Sequence, residues 1–399
     1  MDALKLKKKN QRGKIRGGGV KMDNSDKNTG KSNNMTAVTG KSRLKVAFIL
    51  DRKNFTRAFH ADDLAFLETF TEITGIDPGA EKMSGNLPGI SLKMLPDILP
   101  AKIDESYIRE ALQEAEACIT CWGTHPLTES ALEKASSLRL LAHAAGTPKA
   151  VVTDAVWKRG IRVFTAAPII AIDVAETTLG AIIASIKKLH VFDKLTREGK
   201  WAECKNVHMG KMKRLNSRLV VGVVSASQVG RNLIRMLKPF GVQILLYDPL
   251  ISDYAAAELG VRKVKLAELM SESDVVSVHS PNIPATQNMI NGEMLALMQD
   301  GALLVNTARA HVINEEDLLR ELGSGRINAY LDVFHKEPLP ADSPLFSMEN
   351  VLLSPHISGG QTINGGYERG QYLIQQLYSY WTTGILRDET VRDMLNTMA

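Results

Sequence analysis

Apolar residues recur along the chain in short runs that are separated by longer amphipathic stretches. The first run, residues 44–50 (LKVAFIL), has the length of a buried strand and ends at a charged pair. Helical spacing follows over residues 61–74 and 105–115, and further short apolar runs lie near residues 117–120 and 138–143. This alternation of helices and strands is typical of α/β proteins.

A denser alternation occupies residues 218–332. Its predicted strands are short and apolar, and they are residues 219–224, 243–247, 275–279, 302–306 and 327–332. Helical stretches, such as residues 229–240 and 315–322, separate them. Short strands joined by helical crossovers predict a doubly wound parallel sheet, so we expect two Rossmann-like or flavodoxin-like α/β domains in tandem.

Residues 173–191 form a longer predicted helix with apolar side chains nearly all round, so we expect it to be buried at a domain or subunit contact. The chain contains no run of 18 or more apolar residues, and its first residues lack the apolar core of a secretory signal. We therefore expect no membrane span and a cytoplasmic location.

The net charge of +5 belongs to the N-terminal tail. Residues 1–45 hold 13 Lys and Arg against three Asp, which leaves 36 basic and 41 acidic residues in the rest of the chain, so nucleic acid binding is not expected of the body. The tail has few large apolar residues, and we predict that residues 1–43 are disordered. A solvated extension or a translation start at Met22 or Met35 fits this composition, and an arm that binds an anionic polymer is the alternative.

The three cysteines are too few for a disulfide framework in a chain of 399 residues. Cys118 and Cys121 form a lone Cys-x-x-Cys pair, and no second Cys or His pair at metal spacing accompanies it. Small residues at the end of a strand explain the pair better than redox chemistry or half of a zinc site, so we expect no metal.

The stretch VVSASQVGR (residues 223–231) takes the place of a dinucleotide-binding turn. In such a turn the first glycine permits the tight bend, the second lets the pyrophosphate approach the backbone, and the third lets helix and strand pack closely. Ser225, Ser227 and Gly230 occupy these places here. Ser225 fits only if its φ is negative, whereas the hydroxyl of Ser227 can donate to a phosphate oxygen.

The surroundings of this turn favour a nucleotide site. The predicted helix begins at Gln228 and Val229, whose amides can bind phosphate. Eighteen residues after Gly230 the next predicted strand ends in Asp248. A carboxylate there can accept hydrogen bonds from adenosine ribose hydroxyls and repel a 2′-phosphate, which favours NAD over NADP. An ordinary strand, turn and helix with a surface aspartate is the alternative.

Three later strand ends carry the polar residues Arg309, Glu337 and His356. Open α/β sheets bind ligands at the carboxyl ends of their strands. Taken singly, Arg309 fits an ordinary surface or ion-pair residue, Glu337 a solvated loop residue and His356 a helix-capping or core histidine. Together they suit carbonyl reduction, because Arg309 can hold a carboxylate and polarise a keto oxygen, and His356 can give the proton that the new hydroxyl needs. Glu337 would orient the imidazole and raise its pKa toward working pH.

Five segments follow one another in a specific order and spacing: LKPFGVQILLYDP, LMSESDVVSVHSPNIPATQNMI, LALMQDGALLVNTARA, INAYLDVFHKEPLP and NVLLSPHISGG. On these segments the chain, from residue 45 onward, resembles the D-isomer-specific 2-hydroxyacid dehydrogenase family. The resemblance implies NAD as cofactor, a homodimer and a discontinuous substrate domain. Its implied boundaries are residues 44–168 for the first part of the substrate domain, 169–355 for the NAD-binding domain and 356–399 for the return to the substrate domain.

Carried over position by position, the resemblance implies that Arg309 binds substrate and that Glu337 and His356 form the acid/base pair. Asp248 would bind the adenosine ribose. The remaining implied cofactor residues are Ala308 and Asp332 at the nicotinamide amide, and His279 and Pro281 along the cofactor cleft.

The chain also departs from the family. Ala310 replaces a usual glycine, and the substrate loop reads AAGTPK (residues 144–149), although the amides of Ala145 and Gly146 can still receive a carboxylate. We expect an NAD-dependent oxidoreductase that interconverts a small 2-oxo acid, such as glyoxylate, hydroxypyruvate or pyruvate, and its D-2-hydroxy acid. Glu337 argues against the formate dehydrogenase branch, which resembles this pattern but has a glutamine partner. The alternative is an NAD(H)-sensing binding protein, like the corepressors of this fold, with little turnover.

Overall fold

The computed structural model of the chain describes residues 41–74, 99, 103–208 and 211–398. The predicted disordered tail, residues 1–43, therefore lies almost wholly outside the described residues. Ser42–Ala399 form a single unit that contains two β-sheets, each flanked by helices.

The strands of the described residues are β1 (Leu44–Ile49), β2 (Thr71–Thr74), β3 (Ala117–Thr120), β4 (Leu140–His143), β5 (Arg162–Thr165), β6 (Val220–Val224), β7 (Gln243–Tyr247), β8 (Arg262–Lys263), β9 (Val275–Val278), β10 (Leu303–Asn306), β11 (Asn328–Leu331), β12 (Val351–Leu353) and β13 (Glu389–Thr390). The α-helices are α1 (Arg52–Ala58), α2 (Ala61–Glu68), α3 (Glu105–Ala111), α4 (Asp154–Lys158), α5 (Ala167–Ile186), α6 (Leu189–Arg197), α7 (Trp201–His208), α8 (Gln228–Leu237), α9 (Asp253–Glu258), α10 (Leu266–Glu272), α11 (Gly292–Ala296), α12 (Glu315–Gly323) and α13 (Ile363–Thr383).

The first sheet has the strand order β2-β1-β3-β4-β5-β13. Its strands are parallel except for β13, which pairs antiparallel with β5. The last residues of three neighbouring strands are in register, with Thr120 opposite His143 and His143 opposite Thr165. The loops that follow β3 and β4 therefore emerge side by side at one edge of the sheet.

The second sheet is wholly parallel and has the order β8-β7-β6-β9-β10-β11-β12. The order reverses between β6 and β9, which is the place where doubly wound sheets bind nucleotides. All residues of β9 and β10 are buried because helices cover both faces, and this burial explains their apolar sequences. The predicted α/β fold with doubly wound parallel sheets is confirmed.

Helix α5 connects the two sheets. The predicted helix over residues 173–191 is wrong at both ends, because α5 begins at Ala167 and ends at Ile186, where Lys188 takes a left-handed backbone conformation (φ 54°) before α6. By length and by its mean hydropathy of 1.8 the helix could cross a membrane, but 44% of its apolar stretch is buried inside the protein. Its Asp173 and Thr178 are buried and hydrogen bonded to the second half of the chain, so α5 is a packed helix of the folded unit.

The chain returns to the first sheet after β12. Helix α13 packs against α1, α2 and β4, and β13 extends the edge of the sheet beyond β5. The guanidinium of Arg162 donates to both carboxylate oxygens of Glu389, at 2.9 and 2.6 Å, and fixes this edge. A discontinuous first domain is the arrangement that the resemblance implies, whereas the exact domain boundaries stay predictions.

Two kinds of element were mispredicted. The helix expected over residues 61–74 ends at Glu68, and Thr71–Thr74 form β2 instead. Strands β5, β8 and β13 were not predicted, because they are short and carry charged or polar residues at sheet edges or near them. The apolar period of the chain therefore identifies central strands better than edge strands.

Candidate active site

The three predicted catalytic residues follow adjacent strands of the second sheet. Arg309 follows β10, Glu337 follows β11 and His356 follows β12. The structure brings two of them into direct contact, since Nδ1 of His356 lies 2.7 Å from Oε2 of Glu337. The other carboxylate oxygen of Glu337 accepts the amide of Phe334 at 3.0 Å. The imidazole is thus held through Nδ1, and its Nε2 forms no hydrogen bond with a described residue.

The loop that carries His356 is held by a buried aspartate. His356 has a φ of 54°, a left-handed conformation that is uncommon outside glycine. Asp332, only 1% exposed, accepts hydrogen bonds from residues on both sides of the histidine. The donors are Ser354 Oγ at 2.5 Å, the Ile357 amide at 2.9 Å and the Ser358 amide at 3.0 Å. Asp332, which is predicted to lie at the nicotinamide amide, therefore holds residues 354–358, which form the predicted catalytic loop.

Arg309 is partly buried at the same edge. Asn306 orients its backbone, because the side-chain amide of Asn306 donates to the Arg309 carbonyl at 3.0 Å while its oxygen accepts the Ala308 amide at 3.1 Å. Burial lowers the pKa of Arg309, and the negative charge of Glu337 opposes that shift. An arginine remains protonated under these conditions, so a cation lies beside the His356 and Glu337 pair.

Glu337 is the negative partner in this cluster. Burial on its own would raise the pKa of Glu337, but the hydrogen bonds from His356 and Phe334 and the charges of His356 and Arg309 lower it below its ordinary value. The carboxylate therefore stays ionised and can stabilise a protonated imidazole.

The nucleotide turn lies at the switch point of the sheet, between β6 and α8. The expectation of a negative φ at Ser225 is wrong, because its φ is 84°. The reason is the close packing of the turn on the helix: a Cβ at Gly230 would lie 2.1 Å from the carbonyl oxygen of Ser225. Serine thus adopts the backbone that the glycine of the family adopts freely, at a cost of about 1–2 kcal/mol.

The start of α8 has the donors that a pyrophosphate needs. Ser227 caps the helix, since its Oγ accepts the Gly230 amide at 3.3 Å, and its own hydroxyl hydrogen stays available. The amides of Gln228 and Val229 donate to no partner in the part of the chain that the structure describes. These donors, together with the space that Gly230 leaves, fit a dinucleotide phosphate.

Asp248, at the end of β7, is 9% exposed and contacts the turn directly. One carboxylate oxygen accepts the Ala226 amide at 2.7 Å and the Ser225 hydroxyl at 3.3 Å. The other accepts the amides of Leu250 at 2.8 Å and Ile251 at 3.3 Å. The residue predicted to bind the ribose thus also holds the turn in its left-handed conformation.

Two further predicted cofactor residues lie between these loops. His279 is buried at the end of β9, its amide donates to Val224 at 2.9 Å, and its Nε2 contacts Ser277 Oγ at 2.9 Å. Burial lowers the pKa of His279 to about 3, so the ring is neutral, and its Nδ1 has no protein partner in the described part of the chain. Pro281 follows in the same loop, where its carbonyl accepts the Thr286 hydroxyl.

The predicted substrate loop follows β4 in the first sheet. Ala145 is buried, Gly146 is partly exposed, and neither amide donates to a described residue. Lys149 extends from the same loop, and its ammonium donates to the Met398 carbonyl at 2.7 Å. Burial lowers the pKa of Lys149, and the charge of Arg309 lowers it further. The loops of the two sheets therefore bring cations to a common region.

The cysteine pair offers no reactive thiolate to this site, although Cys121 Sγ donates to the Ala144 carbonyl of the predicted substrate loop at 3.5 Å. Burial raises the pKa of Cys118 to about 12 and that of Cys121 to about 11, so both are thiols in the core of the first sheet. Within residues 41–74, 103–208 and 211–398 no group of three or more His, Cys, Asp or Glu is placed to hold a metal.

Sequence reasoning missed residues that hold the site together. Asp173 accepts the Gly360 amide at 3.1 Å and the Thr362 hydroxyl at 2.9 Å, so α5 is tied to the loop after His356. A carboxylate inside an apolar helix was the signal that could have found it. Arg369 is 2% exposed and donates to the Ala144 carbonyl at 3.2 Å, and no spacing in the sequence singled it out.

Comparison with known proteins agrees with this geometry. The family model for the NAD binding domain of D-isomer-specific 2-hydroxyacid dehydrogenases matches residues 179–358, a range that contains the nucleotide turn and all three predicted catalytic residues. The prediction of NAD as the cofactor is confirmed by this match.

Relatives and solved structures extend the likeness. The chain is 35% identical over 251 residues to a glyoxylate reductase of Korarchaeum cryptofilum, covering 62% of this chain and 75% of that one. It is 29% identical over 315 residues to a D-3-phosphoglycerate dehydrogenase of Methanocaldococcus jannaschii, covering 77% of this chain but 57% of that one. The apo structure of Rhodotorula graminis D-mandelate dehydrogenase has the same fold, with a TM-score of 0.70 at 23% identity, covering 88% of this chain and 98% of that one. The chain therefore belongs to the D-isomer-specific 2-hydroxyacid dehydrogenase family.

Proposed function

We propose that the protein is an NAD-dependent reductase of small 2-oxo acids and forms D-2-hydroxy acids. The observation that carries the proposal is the 2.7 Å contact between His356 Nδ1 and Glu337 Oε2 beside the partly buried Arg309. Relatives with sequence likeness include a glyoxylate reductase, which supports a small substrate.

The roles of the chain's own residues follow from their contacts. Arg309 would bind the substrate carboxylate and polarise the keto oxygen with its planar guanidinium. The hydrogen on His356 Nδ1 is directed to Glu337, so a protonated imidazole would give the proton on Nε2 to the keto oxygen as it becomes a hydroxyl. Glu337 would stabilise the imidazolium until that transfer.

The cofactor would lie along the turn of the second sheet. Ser227, Gln228 and Val229 would bind its pyrophosphate, and Asp248 would shape the turn and exclude a 2′-phosphate. NADH, when bound, supplies the hydride. The amides of Ala145 and Gly146 would hold the substrate carboxylate from the side of the first sheet.

A panel of 2-oxo acids assayed with NADH and with NADPH tests the proposal. We expect NADH oxidation with glyoxylate, hydroxypyruvate or pyruvate, and a loss of about a hundredfold or more in kcat for His356→Ala, because one general acid is worth that much. Arg309→Ala should lose activity as well, chiefly through the substrate carboxylate. His125→Ala is the matched control, since this half-buried histidine forms its one hydrogen bond in the described structure with the Pro126 carbonyl and contacts no predicted site residue.

The same assay separates the rival function. NADH binding without turnover of any 2-oxo acid would refute the reductase and support an NAD(H)-sensing binding protein. Homodimer formation and a cytoplasmic location stay predictions. Size-exclusion chromatography with light scattering tests the first, and cell fractionation tests the second.

A further inference from the structure

Arg369 is a buried cation that the proposed chemistry does not use. It lies in α13 with 2% of its surface exposed, and it forms no ion pair with any described carboxylate. Its Nη1 donates to the Ala144 carbonyl at 3.2 Å, and its guanidinium lies 4.8 Å from the ring centre of Trp122. Its Nε has no partner among the described residues. Burying a guanidinium with so few partners lowers the stability of the folded protein, because the desolvation of its charge is poorly compensated.

The contact of Arg369 with the Ala144 carbonyl, which also accepts the weaker hydrogen bond of the Cys121 thiol at 3.5 Å, fixes the backbone of the substrate loop. In a trans peptide the C=O and the following N–H point in opposite directions, so holding the Ala144 carbonyl directs the Ala145 amide away from Arg369. The Ala145 carbonyl accepts the Ala166 amide at 3.1 Å, which directs the Gly146 amide away in the same manner. Neither amide donates to another described residue. Two unpaired successive amides form the kind of concavity that binds an anion.

The contact with Trp122 links this loop to the catalytic loop. A Cβ at Gly360 would lie 2.6 Å from Cη2 of Trp122 and 3.6 Å from Nη1 of Arg369. Gly360 stands four residues after His356, and its amide donates to Asp173 of α5. Arg369 thus contacts the substrate loop of the first sheet, and both Arg369 and Trp122 lie close to Gly360 in the loop that follows the predicted proton donor. The absence of a side chain at Gly360 makes this approach possible.

Electrostatics agrees with this arrangement. Burial lowers the pKa of Arg369, whereas Cys121 and Asp173 oppose that shift and Arg57 adds to it. Asp173, whose carboxylate accepts hydrogen bonds from Gly360 and Thr362, acts on the guanidinium through its charge but forms no ion pair with it among the described residues. The positive charge of Arg369 lies at the Ala144 carbonyl and polarises that peptide group. The N–H of the same peptide group, which belongs to Ala145, therefore becomes a stronger hydrogen-bond donor.

We infer that Arg369 is a positioning residue for substrate binding: stacked on Trp122, it holds the Ala144 carbonyl so that the amides of Ala145 and Gly146 are placed for the carboxylate of a 2-oxo acid. The inference rests on the proposed function. It assigns Arg369 no contact with the substrate or the cofactor, so the expected defect is in substrate affinity.

Two substitutions test the inference in the full-length protein. Arg369→Met keeps the volume and removes the donor and the charge, and Arg369→Lys keeps the charge without the planar guanidinium. We expect the KM for glyoxylate to rise about tenfold or more in Arg369→Met, as for the loss of one charged hydrogen bond, and less in Arg369→Lys. The kcat and the Kd for NADH should change less than about twofold, because the His356 loop and the nucleotide turn keep their own contacts.

Arg159→Met is the matched control. Arg159 also donates to a loop carbonyl beside the first sheet, that of Leu132 at 2.6 Å, but it pairs with Glu129 and contacts no predicted site residue. Its substitution should leave the KM unchanged. Circular dichroism and thermal unfolding verify that each variant is folded.

A second readout does not depend on turnover. Oxalate, a carboxylate that is not reduced, is titrated into the NADH-saturated protein with tryptophan fluorescence as the signal, and Arg369→Met should weaken its binding about tenfold. Unchanged KM and oxalate affinity in both folded variants would overturn the inference. Equal losses in kcat, NADH affinity and thermal stability would also overturn it, because they indicate a general structural role.

The two proposals fail in different ways. A wild-type protein that binds oxalate but reduces no 2-oxo acid refutes the proposed function, and the oxalate titration then decides the role of Arg369. A wild-type protein that reduces 2-oxo acids while Arg369→Met keeps its KM refutes the positioning role alone. A wild-type protein that neither reduces these acids nor binds oxalate refutes both.

Discussion

Two loops of the second sheet each contain a residue with a strained, left-handed backbone, but the side chains of these two residues differ in importance. In the nucleotide turn Ser225 has a φ of 84°, and in the catalytic loop His356 has a φ of 54°. Each loop is held by a nearly buried aspartate, Asp248 or Asp332, whose carboxylate accepts backbone amides. A left-handed backbone at a residue other than glycine costs about 1–2 kcal/mol and persists only where surrounding contacts enforce it.

The difference lies in whether the side chain at the strained position is needed. At residue 225 the family has glycine, and serine adds only a 3.3 Å hydrogen bond to Asp248. At residue 356 the imidazole is the predicted proton donor, and its backbone aims the ring at Glu337. Strain is therefore removable in the turn and inseparable from function in the catalytic loop. Three predictions test this contrast and a fourth concerns the buried His279, and they follow in order of decreasing effect near neutral pH.

The largest effect is expected from Asp332→Ala. The substitution leaves the amides of Ile357 and Ser358 without their acceptor, so His356 should lose its orientation toward Glu337. A misplacement of about 1 Å can cost a hundredfold, and we expect kcat to fall by about that factor. Steady-state kinetics measures the fall, and NADH titration shows whether the cofactor still binds. A kcat within threefold of the wild type would contradict the role of Asp332 in the catalytic loop.

Asp248→Asn should act on the other loop. Loss of charge weakens the hydrogen bonds from Ser225, Ala226 and the following amides, so the Kd for NADH should rise about tenfold. If Asp248 holds the turn, NADPH binding weakens with it. If its main role is to repel a 2′-phosphate, NADPH binding improves instead. Fluorescence titration with both cofactors distinguishes the two roles.

The direct test of removable strain is the pair Ser225→Gly and His356→Gly. Both substitutions relieve the strain of a left-handed residue, which should raise the free energy of unfolding by about 1 kcal/mol. The side-chain contacts that each substitution removes reduce this gain. Only Ser225→Gly should keep its activity. Chemical denaturation and steady-state assays are the measurements. A Ser225→Gly variant less stable than the wild type would show that the serine hydroxyl contributes more than the backbone strain costs.

The smallest effect at neutral pH concerns His279, and it grows as the pH is lowered. The pKa of His279 is about 3 in the folded protein, whereas an unfolded histidine titrates at its ordinary value of 6.5. Below pH 6.5 the unfolded chain therefore binds a proton that the folded chain does not, and stability falls as the pH is lowered toward 3. The slope of the free energy of unfolding against pH measures how many more protons the unfolded chain binds than the folded chain. His279→Gln should lower that number by up to about one between pH 6 and 4. An unchanged slope would contradict the burial of a neutral ring.

The central strands could be predicted from the sequence because burial on both faces selects apolar runs. Every residue of β3 and β4 is buried, and their bounds were predicted closely. By contrast, β2 (TEIT) and β13 (two residues) lie at the edges of the first sheet, where polar side chains are tolerated. Pairing with a neighbour, which is a non-local property, creates these strands, so local periodicity does not indicate them.

The convergence of the three predicted catalytic residues could be foreseen for a related reason. Polar residues directly after buried strands of a parallel sheet meet at one edge, and Arg309, Glu337 and His356 do so. The roles of Asp248 and Asp332 as acceptors of backbone amides were not predictable, because those bonds depend on φ values of the loops that they hold. Ser225 shows the limit clearly, since its backbone follows from the packing of Gly230 and not from its own preference.

The antiparallel pairing of β13 with β5 also has a practical consequence. This short strand, fixed by Glu389 against Arg162, covers backbone groups of β5 that would otherwise face solvent as an open sheet border. Uncovered borders of this kind recruit strands from other molecules and favour aggregation. Shortened versions of the protein made for crystallisation or display should therefore retain Glu389 and Thr390, even though both lie far along the chain from any residue that would touch a substrate.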